Sequence, residues 1–489
     1  MANVIIIGAG VAGLSAGICA QMAGHQATVY ERHFRAGGNL TGWDRKGYHI
    51  DNCIHWLTGT NPVTDFYRMW ERLGALGKGI EVHQHQTLYT YKHASGAQLS
   101  LDKDVKVLER DMLAVSSADK KEIQGFIHAI VAVQRLQNMG GQDCERASNA
   151  WEKLISVPDL LKYYKYSIGD LAARFKEPFL GDFLKSFMPA HFSALALIMV
   201  FATFTGKNGA IPCGGSCAMA DRMVERFVSL GGKLCLGKGV ARINVQDKNA
   251  SSVTLDDGTV VDADHVIVTT DPAAAFGTLL ERKYMPKALA KQYADENMVR
   301  FSATHCAFSF DGAQPPFTGD VVFDIPEQDR ELLCGEYLML REFSHEKSFA
   351  PEGKSVLQTM IYCMEDDAKA LIALRADKAA YAQRKQQMIA AVERIICDRV
   401  PALKGKISCI DAWTPATYGR FVGSEIGSFM SFIMPAGAAL VQMSGKIKEL
   451  DNVYLATQWQ MAPGGLPIAA TVGIDAVKLI GKREKRKCR

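Results

Sequence analysis

The chain has 489 residues, of which 48% are apolar and 22% charged, and its formal net charge is +4. These values exclude a disordered or fibrous chain, and so small a charge argues against a nucleic-acid partner. The twelve cysteines show no CxxC pairs, so they indicate neither a metal site nor a disulfide framework; reduced thiols fit a cytoplasmic protein.

The N-terminus predicts a strand, a glycine turn and a helix. Val4–Ile7 is a short apolar run, typical of a strand buried on both faces of a parallel sheet. The next segment has GxGxxG spacing and opens a predicted helix, so its backbone can approach a pyrophosphate and its N–H groups can face the phosphates. The predicted cofactor contacts from this segment are Gly8, Gly10, Val11, Ala12 and Gly13.

A second predicted strand, ATVYE, ends at Glu31. An acid about twenty residues after the glycines is placed to accept hydrogen bonds from a ribose. Strand, glycine turn, helix, strand and acid occur in the order of a dinucleotide site. This order does not separate NAD from FAD.

The next residues, RHFRAGG from Arg32 to Gly38, resemble an extension found in the flavoprotein family that includes amine oxidases and carotenoid desaturases. In that family the paired glycines, here Gly37 and Gly38, bring the backbone close to the phosphate and ribityl arm of the flavin. The resemblance implies FAD as cofactor, with Arg32 also among its contacts.

Two later segments resemble further parts of the same flavin domain. Residues 231–271 predict strands and a hairpin with a DDG turn, and the resemblance places the backbone near Val240 against the adenine. Near the C-terminus, WQMAPGGLPIAAT predicts a turn before a last helix. By resemblance this turn lies against the isoalloxazine ring and implies contacts from Gly465, Leu466 and Pro467, whereas Gln458 stands where relatives often have glycine.

The resemblance implies an α/β fold with a discontinuous, Rossmann-like FAD-binding domain of the GR2 type and two insertions. We expect that domain at residues 1–79, 205–284 and 441–480. Residues 80–204 are predicted to form a helical lid or membrane-facing substrate insertion, and residues 285–440 an α+β substrate-binding sheet domain.

Residues 481–489 are a basic tail, which is either solvated or attracted to an anionic membrane face, where each basic residue contributes about 1 kcal/mol. The apolar run at 194–204 is too short to cross a bilayer. We therefore expect no transmembrane helix, and a cytoplasmic protein with peripheral contact to the inner face of the membrane.

The combination of D-x-x-TP at residues 411–415 with the C-terminal GGLP resembles the phytoene desaturase, carotenoid isomerase and retinol saturase superfamily, especially its bacterial members. The resemblance implies a FAD-dependent oxidoreductase that acts on C–C or C=C bonds of a hydrophobic polyene or unsaturated lipid, bound in an apolar tunnel. No second GxGxxG with a following acid occurs in the insertions, so the electron partner is left open.

His55 is the candidate catalytic residue, because IDNCIHW follows closely after the flavin diglycine. A histidine there could protonate a carbanion or polarise a carbonyl, or it could be a hydrogen-bonded core residue beside Trp56. Two other functions stay open. One is an amine oxidase-like flavoprotein, which would need a Trp or Tyr pair before GGLP; the other is a non-catalytic, flavin-bearing lipid-binding protein.

Overall fold

The computed structural model describes residues 1–138, 158–438 and 442–487. Its strands, in chain order, are β1 (Asn3–Ile7), β2 (Gln26–Glu31), β3 (Gly42–Arg45), β4 (Tyr48–Asp51), β5 (Leu57–Thr58), β6 (Val82–His83), β7 (Thr87–Lys92), β8 (Gln98–Asp102), β9 (Gly209–Pro212), β10 (Lys233–Leu236), β11 (Val240–Gln246), β12 (Asn249–Leu255), β13 (Val260–Asp262), β14 (His265–Val268), β15 (Phe301–Phe310), β16 (Asp320–Asp324), β17 (Tyr337–Glu342), β18 (Ser355–Met364), β19 (Ile407–Trp413) and β20 (Val453–Leu455).

The α-helices of the described residues are α1 (Val11–Met22), α2 (Asp65–Arg72), α3 (Val105–Val115), α4 (Lys120–Asn138), α5 (Pro158–Tyr164), α6 (Ile168–Ala172), α7 (Pro178–Phe187), α8 (Ala194–Thr205), α9 (Gly215–Ser229), α10 (Pro272–Ala274), α11 (Lys287–Ala294), α12 (Glu327–Leu333), α13 (Glu365–Leu374), α14 (Lys378–Arg399), α15 (Pro415–Val422) and α16 (Leu466–Lys487).

A five-stranded parallel sheet in the order β10-β2-β1-β14-β20 organises the first layer. Its strands come from three separated stretches of the chain, so the first and last strands in sequence lie in one sheet. After Asn3 the middle strand β1 is apolar, as a strand covered on both faces must be; Val4 and Ile6 are fully buried. The predicted α/β fold with a Rossmann-like sheet is confirmed.

Two close backbone approaches fix the helices on this sheet. A Cβ atom at Gly13 in α1 would lie 1.9 Å from the carbonyl oxygen of Gly8, which explains the third glycine of the motif as a packing residue. A Cβ atom at Gly473 in α16 would lie 2.3 Å from the carbonyl oxygen of Ala12. The first and last helices therefore pack with almost no side chain between them.

A seven-stranded sheet in the order β19-β15-β18-β17-β16-β7-β8 forms the second layer. Its pairings are antiparallel except for the parallel pairing of β16 with β7. Strands β7 and β8 come from within 80–204, the stretch predicted as a helical insertion. TLYTYK and QLSLD in fact carry strand-type alternation around a turn, and they place Tyr89 and Tyr91 in the core.

Helices α3 to α8 cover this end of the seven-stranded sheet. Tyr89 of β7 stacks on Phe183 of α7 with ring centroids 5.2 Å apart and lies 4.8 Å from the ring of Phe187. Helix α8 holds the longest apolar run and is a buried helix; Ile198 and Phe201 are fully buried. In the described part of the chain, no helix is long and apolar enough to cross a membrane. Residues 139–157 of the predicted insertion lie outside the described residues.

The predicted basic tail is partly a continuation of α16, which extends to Lys487. Lys, Arg and Glu are good helix formers, and extending an existing helix requires no new nucleation. Arg483 pairs with Asp451 at 3.6 Å, and Glu484 contacts His265 at 3.1 Å. The first part of the tail is therefore held against the parallel sheet, while 488–489 lie outside the described residues.

The approach of α16 to α1 predicts opposite effects for two glycines of one helix. Gly473→Ala should lower the free energy of unfolding by about 1–3 kcal/mol, because the added methyl group must push two backbones apart. Gly481→Ala, where an added Cβ has no neighbour within 4 Å, should raise it by up to about 1 kcal/mol through helix propensity. Urea unfolding of both variants measures the difference; equal effects would contradict this packing.

Candidate functional site: a nucleotide cradle joined to an apolar chamber

One cavity of about 760 Å³ begins at the carboxyl ends of the parallel strands, where ligands bind in open α/β sheets. It continues to the seven-stranded sheet and to α7 and α8. All but one of the predicted site residues line it: Gly8, Gly10, Val11, Ala12, Glu31, Arg32, Gly37, Gly38, His55, Val240, Gly465, Leu466 and Pro467. Gly13 lies behind the wall, at the contact of α1 with β1.

Two glycine turns pack directly on each other at the centre of this wall. Gly10 and Gly37 form a parallel bridge, and the N–H of Gly37 donates to the carbonyl of Ala9 at 2.9 Å. A Cβ atom at Gly37 would lie 2.2 Å from the carbonyl oxygen of Leu40, and one at Gly38 would lie 3.2 Å from Cα of Gly10. The wall is therefore bare backbone, which suits close approach of a pyrophosphate.

Glu31 connects the end of β2 to the first glycine turn. Its Oε2 accepts the N–H of Ala9 at 2.8 Å, and its Oε1 accepts the N–H of His33 at 3.0 Å. The carboxylate is buried at 8% exposure but still lines the cavity. Each oxygen keeps a further lone pair for ribose hydroxyls, so this position fits the predicted role.

Arg32 occupies the same end of the cavity but directs its side chain elsewhere. Its guanidinium donates to the carbonyl of Phe421 at 2.9 Å, at the C-terminal end of α15, where a cation is favoured. Thr414 caps the start of α15 and Pro415 follows it. The TP motif thus sets the position of a helix whose far end, at residues 421–424, lines the cavity.

The C-terminal turn closes the cavity opposite the glycine turns. Gly465 has φ +92°, and the helix α16 that follows points its N-terminal end at the cavity, which favours negative charge there. Gln458 supports the turn: its Oε1 accepts the N–H of Gly465 at 2.8 Å, and its Nε2 donates to the carbonyl of Phe429 at 3.2 Å. A glycine at position 458 could not make this bridge.

The loop that carries His55 is anchored by Asp51, a residue that sequence reasoning missed. Asp51 accepts the N–H and the hydroxyl of Ser216 at the start of α9, both at 2.6 Å, and the N–H of Cys53 at 3.1 Å. The glycine turn before α9 therefore binds a protein carboxylate. A Cβ atom at Gly215 would lie 2.3 Å from the Asp51 carboxylate.

His55 lies on the cavity wall beside Trp56, with ring centroids 6.2 Å apart. Arg341 supports its backbone from behind, donating to the carbonyls of Ile54 and His55 at 3.3 and 3.4 Å. Burial, followed by the charges of Arg341 and His305, lowers the pKa of His55 well below the ordinary histidine value. The imidazole is therefore uncharged at neutral pH, which disfavours its predicted action as a proton donor.

The two glycine turns, Glu31 and the turn at Gly465 form the part of the cavity that we call the nucleotide cradle. The part beyond it is the apolar chamber. Its walls come from α7, α8, β18 and the segment 429–434, and they are rich in Met and aromatic residues: Trp56, Phe187, Met199, Val200, Met360, Tyr362, Phe429, Met430 and Met434. None of the described residues that line the chamber is Asp or Glu. The acidic residues on the cavity wall, Glu31, Asp256 and Asp271, belong to the nucleotide cradle and its margin.

The expected aromatic pair of an amine oxidase is not formed by Trp459. Its ring is 3% exposed and packs on Tyr293 and Phe432, with centroid distances of 5.7 and 5.0 Å. Trp459 is thus a largely buried residue that also contributes to the cavity wall beside the C-terminal turn.

Because the turn at Gly465 closes the cavity, we expect Gly465→Val to lower the FAD content of the purified protein. The valine side chain would face the cavity, and a residue with a Cβ atom rarely adopts φ +92°. Gly353→Val is the matched control: Gly353 also has a positive φ, of +76°, but lies away from the cavity in open space. The ratio of flavin to protein absorbance measures the effect. Full occupancy in Gly465→Val would contradict the assignment of this turn to the cofactor.

Curated proteins and solved structures resemble the chain over most of its length. The chloroplastic prolycopene isomerase of Daucus carota is 21% identical over 478 residues, covering 92% of this chain and 75% of that protein. The lycopene-forming phytoene desaturase of Pseudescherichia vulneris is 23% identical, covering 63% of this chain and 66% of that protein. The structure of an oxidoreductase from Methanosarcina mazei superposes with a TM-score of 0.61 at 16% identity, covering 98% of this chain and all of that one.

The family model of flavin containing amine oxidoreductases matches residues 11–480. The cradle fits the flavin nucleotide that this family carries: bare glycine backbone, a buried carboxylate at the end of β2 and a helix N-terminus face one cavity. The FAD predicted from the sequence and the resemblance to carotenoid desaturases and isomerases are confirmed. The chain belongs to the flavin-containing amine oxidoreductase family.

Proposed function

We propose that this protein is a FAD-dependent oxidoreductase that acts on C–C or C=C bonds of a hydrophobic polyene or unsaturated lipid. The observation that carries the proposal is the apolar chamber, which continues directly from the nucleotide cradle and whose described lining contains no carboxylate. The named activities of the relatives, prolycopene isomerase and phytoene desaturase, support the same substrate class.

The residues of the chain position the two reactants and exclude water. FAD, when bound, supplies a two-electron acceptor or donor. The glycine turns and Glu31 would hold the nucleotide, and the N-terminal end of α16 would favour negative charge on the part of the cofactor beside it. The chamber holds an extended apolar chain by surface burial, and hydride transfer depends chiefly on such alignment. A catalytic triad is not required.

We propose that His55 acts in its uncharged form. A neutral imidazole can donate one hydrogen bond and accept another, and it brings no net charge into the apolar chamber. In this role it orients the end of the substrate nearest Trp56 and does not protonate it.

An amine oxidase function fits the chamber less well. An ammonium group needs a carboxylate or a cage of aromatic faces when it leaves water. The described chamber lining has no carboxylate, although Trp56, Phe187, Tyr362 and Phe429 offer aromatic rings. The amine and the non-catalytic lipid-binding alternatives are therefore kept as outcomes of the experiment below.

The test is anaerobic mixing of the holoenzyme with a polyene, chosen by mass spectrometry of the lipids that copurify with it. Loss of flavin absorbance on mixing with oxidised enzyme indicates desaturation, and its return on mixing with reduced enzyme indicates saturation. A changed double-bond geometry with unchanged absorbance indicates isomerisation. Reduction by primary amines and not by any polyene would overturn the proposal, as would a polyene that is recovered unchanged and leaves the flavin unaffected in either state.

Two variants locate the reaction. Val200→Trp should fill the chamber and slow the reaction by about tenfold or more through misplacement of the substrate, while Val228→Trp, on the exposed side of α9, should not. His55→Gln keeps a neutral hydrogen-bonding group and should retain most of the rate. A large loss in His55→Gln, together with a pH profile that shows an essential imidazolium, would contradict the uncharged role.

We also propose peripheral contact with an anionic membrane surface through the end of α16. Lys482 and Lys485 are exposed and three residues apart, so they lie on one side of the helix. A hydrophobic substrate stored in a membrane would be delivered more readily to an enzyme held at its surface.

Charge reversal tests this contact. Lys482→Glu with Lys485→Glu should weaken sedimentation with anionic vesicles at low salt, because about 1 kcal/mol per basic residue is lost and repulsion is added. Lys404→Glu with Lys406→Glu makes the same change at another exposed site and should have a smaller effect. Equal sedimentation of the two double variants would rule out a specific role for α16.

A further inference from the structure

Three histidines from distant parts of the chain meet outside the flavin cavity. His83 ends β6, His85 follows two residues later, and His345 lies three residues beyond the end of β17. One ring nitrogen of each histidine lies within 4.8 Å of a ring nitrogen of the other two. Among the described residues, no other group of three His, Cys, Asp or Glu side chains meets this spacing. None of the three lines the cavity.

The hydrogen bonds of this cluster are incomplete. His83 Nε2 and His85 Nδ1 are 3.3 Å apart, so one can donate to the other. The ring of His345 stacks on that of His83 at 4.3 Å, yet both of its nitrogens are inaccessible to solvent and have no hydrogen-bond partner. A buried polar atom without a partner costs about 1–3 kcal/mol, so stacking alone leaves the ring unsatisfied.

A buried carboxylate completes the surroundings of the cluster. Glu342 is 5% exposed, and its Oε1 lies 3.7 Å from His85 Nδ1. Its other oxygen accepts the N–H and the hydroxyl of Ser344 at 2.7 and 2.5 Å. These bonds hold the carboxylate in place and leave Oε1 facing the histidines, as an outer partner does for a metal ligand.

Burial keeps the three rings neutral, the form of histidine that binds metal ions. It lowers the pKa of His85 to about 3 and that of His345 to about 2, and it also lowers the pKa of His83. Neighbouring histidines and Arg341 act in the same direction on His85 and His345. Each neutral ring therefore has one nitrogen with a free lone pair.

We propose that His83, His85 and His345 bind a divalent transition-metal ion such as Zn²⁺, with the Glu342 carboxylate as an outer partner beside His85. Zn–N bonds of about 2.0–2.1 Å in a tetrahedron separate two nitrogens by about 3.3 Å. The His83–His85 pair already has this separation, at 3.3 Å, and the remaining nitrogen distances, up to 4.8 Å, close by rotation of the rings.

The proposed ion would join two segments that hold the loop of His55 in place. His83 pairs with Ile211 of β9, just before the turn that opens α9. Glu346, next to His345, accepts the N–H of Gly214 in that turn at 2.9 Å. On the other side, Arg341 precedes Glu342 and binds the carbonyls of Ile54 and His55. The proposed site therefore connects β6 with the segment that follows β17, and Arg341 connects that segment to the loop of His55.

The experiment uses the full chain with FAD bound and without a histidine tag. After dialysis against a chelator, Zn²⁺ titration by calorimetry should show one equivalent bound, and Zn²⁺ should raise the melting temperature. His345→Gln and His85→Gln should each weaken binding at least about tenfold, the loss typical even of changes around a metal site. His128→Gln, at an exposed position on α4, should bind as the wild type does.

Unchanged Zn²⁺ affinity in His345→Gln would overturn the proposal, and so would the absence of binding to the wild type. Flavin content and circular dichroism equal to those of the metal-free wild type show that each variant is folded. The wild type also tests the ligands directly, because Co²⁺ at a tetrahedral nitrogen site absorbs at longer wavelengths than oxidised flavin. No such band, or a thiolate charge-transfer band in its place, would contradict a histidine site.

Discussion

The contact between the two glycine turns, Gly10 against Gly37 and Gly38, determines how the nucleotide cradle is built. Because neither turn has a side chain at the contact, backbone meets backbone, and an added Cβ at Gly38 would lie 3.2 Å from Cα of Gly10. Glu31 stabilises the same contact by accepting the N–H of Ala9. The protein's own contacts therefore define the shape of the cradle, and an arrangement held in this way reduces the ordering cost of binding.

The apolar chamber depends on a second set of contacts, which are polar and lie behind its wall. Arg341 pairs with Asp320 at 3.3 Å and holds the carbonyls of Ile54 and His55, while Asp51 fixes the other side of that loop to α9. Buried charges of this kind add little net stability, but removing one partner is costly. They fix the position of the loop that brings His55 and Trp56 to the cavity wall.

Much of the cradle could be predicted because its requirements are local. Strand, glycines, helix and acid follow one another within residues 4–38, and GGLP indicates a turn before a helix. The rest depends on contacts between distant residues. Asp51 meets Ser216, His83 meets His345, and Gln458 meets Phe429, and no spacing in the sequence connects these pairs. Strands β7 and β8 show an alternation of apolar and polar residues. The prediction of a helical insertion at residues 80–204 followed the apolar run at 194–204 instead.

Strand β20 and the turn at Gly465 have a consequence for biosynthesis. They supply the edge strand of the parallel sheet and the last wall of the cradle, yet they are made only after both insertions have left the ribosome. Domains generally fold as units during synthesis, but here the flavin cradle stays open at one side until residues 453–469 emerge. The nascent chain must therefore keep the core of its first helix covered through more than four hundred residues of synthesis, and the cradle can close only after residue 469 has been made.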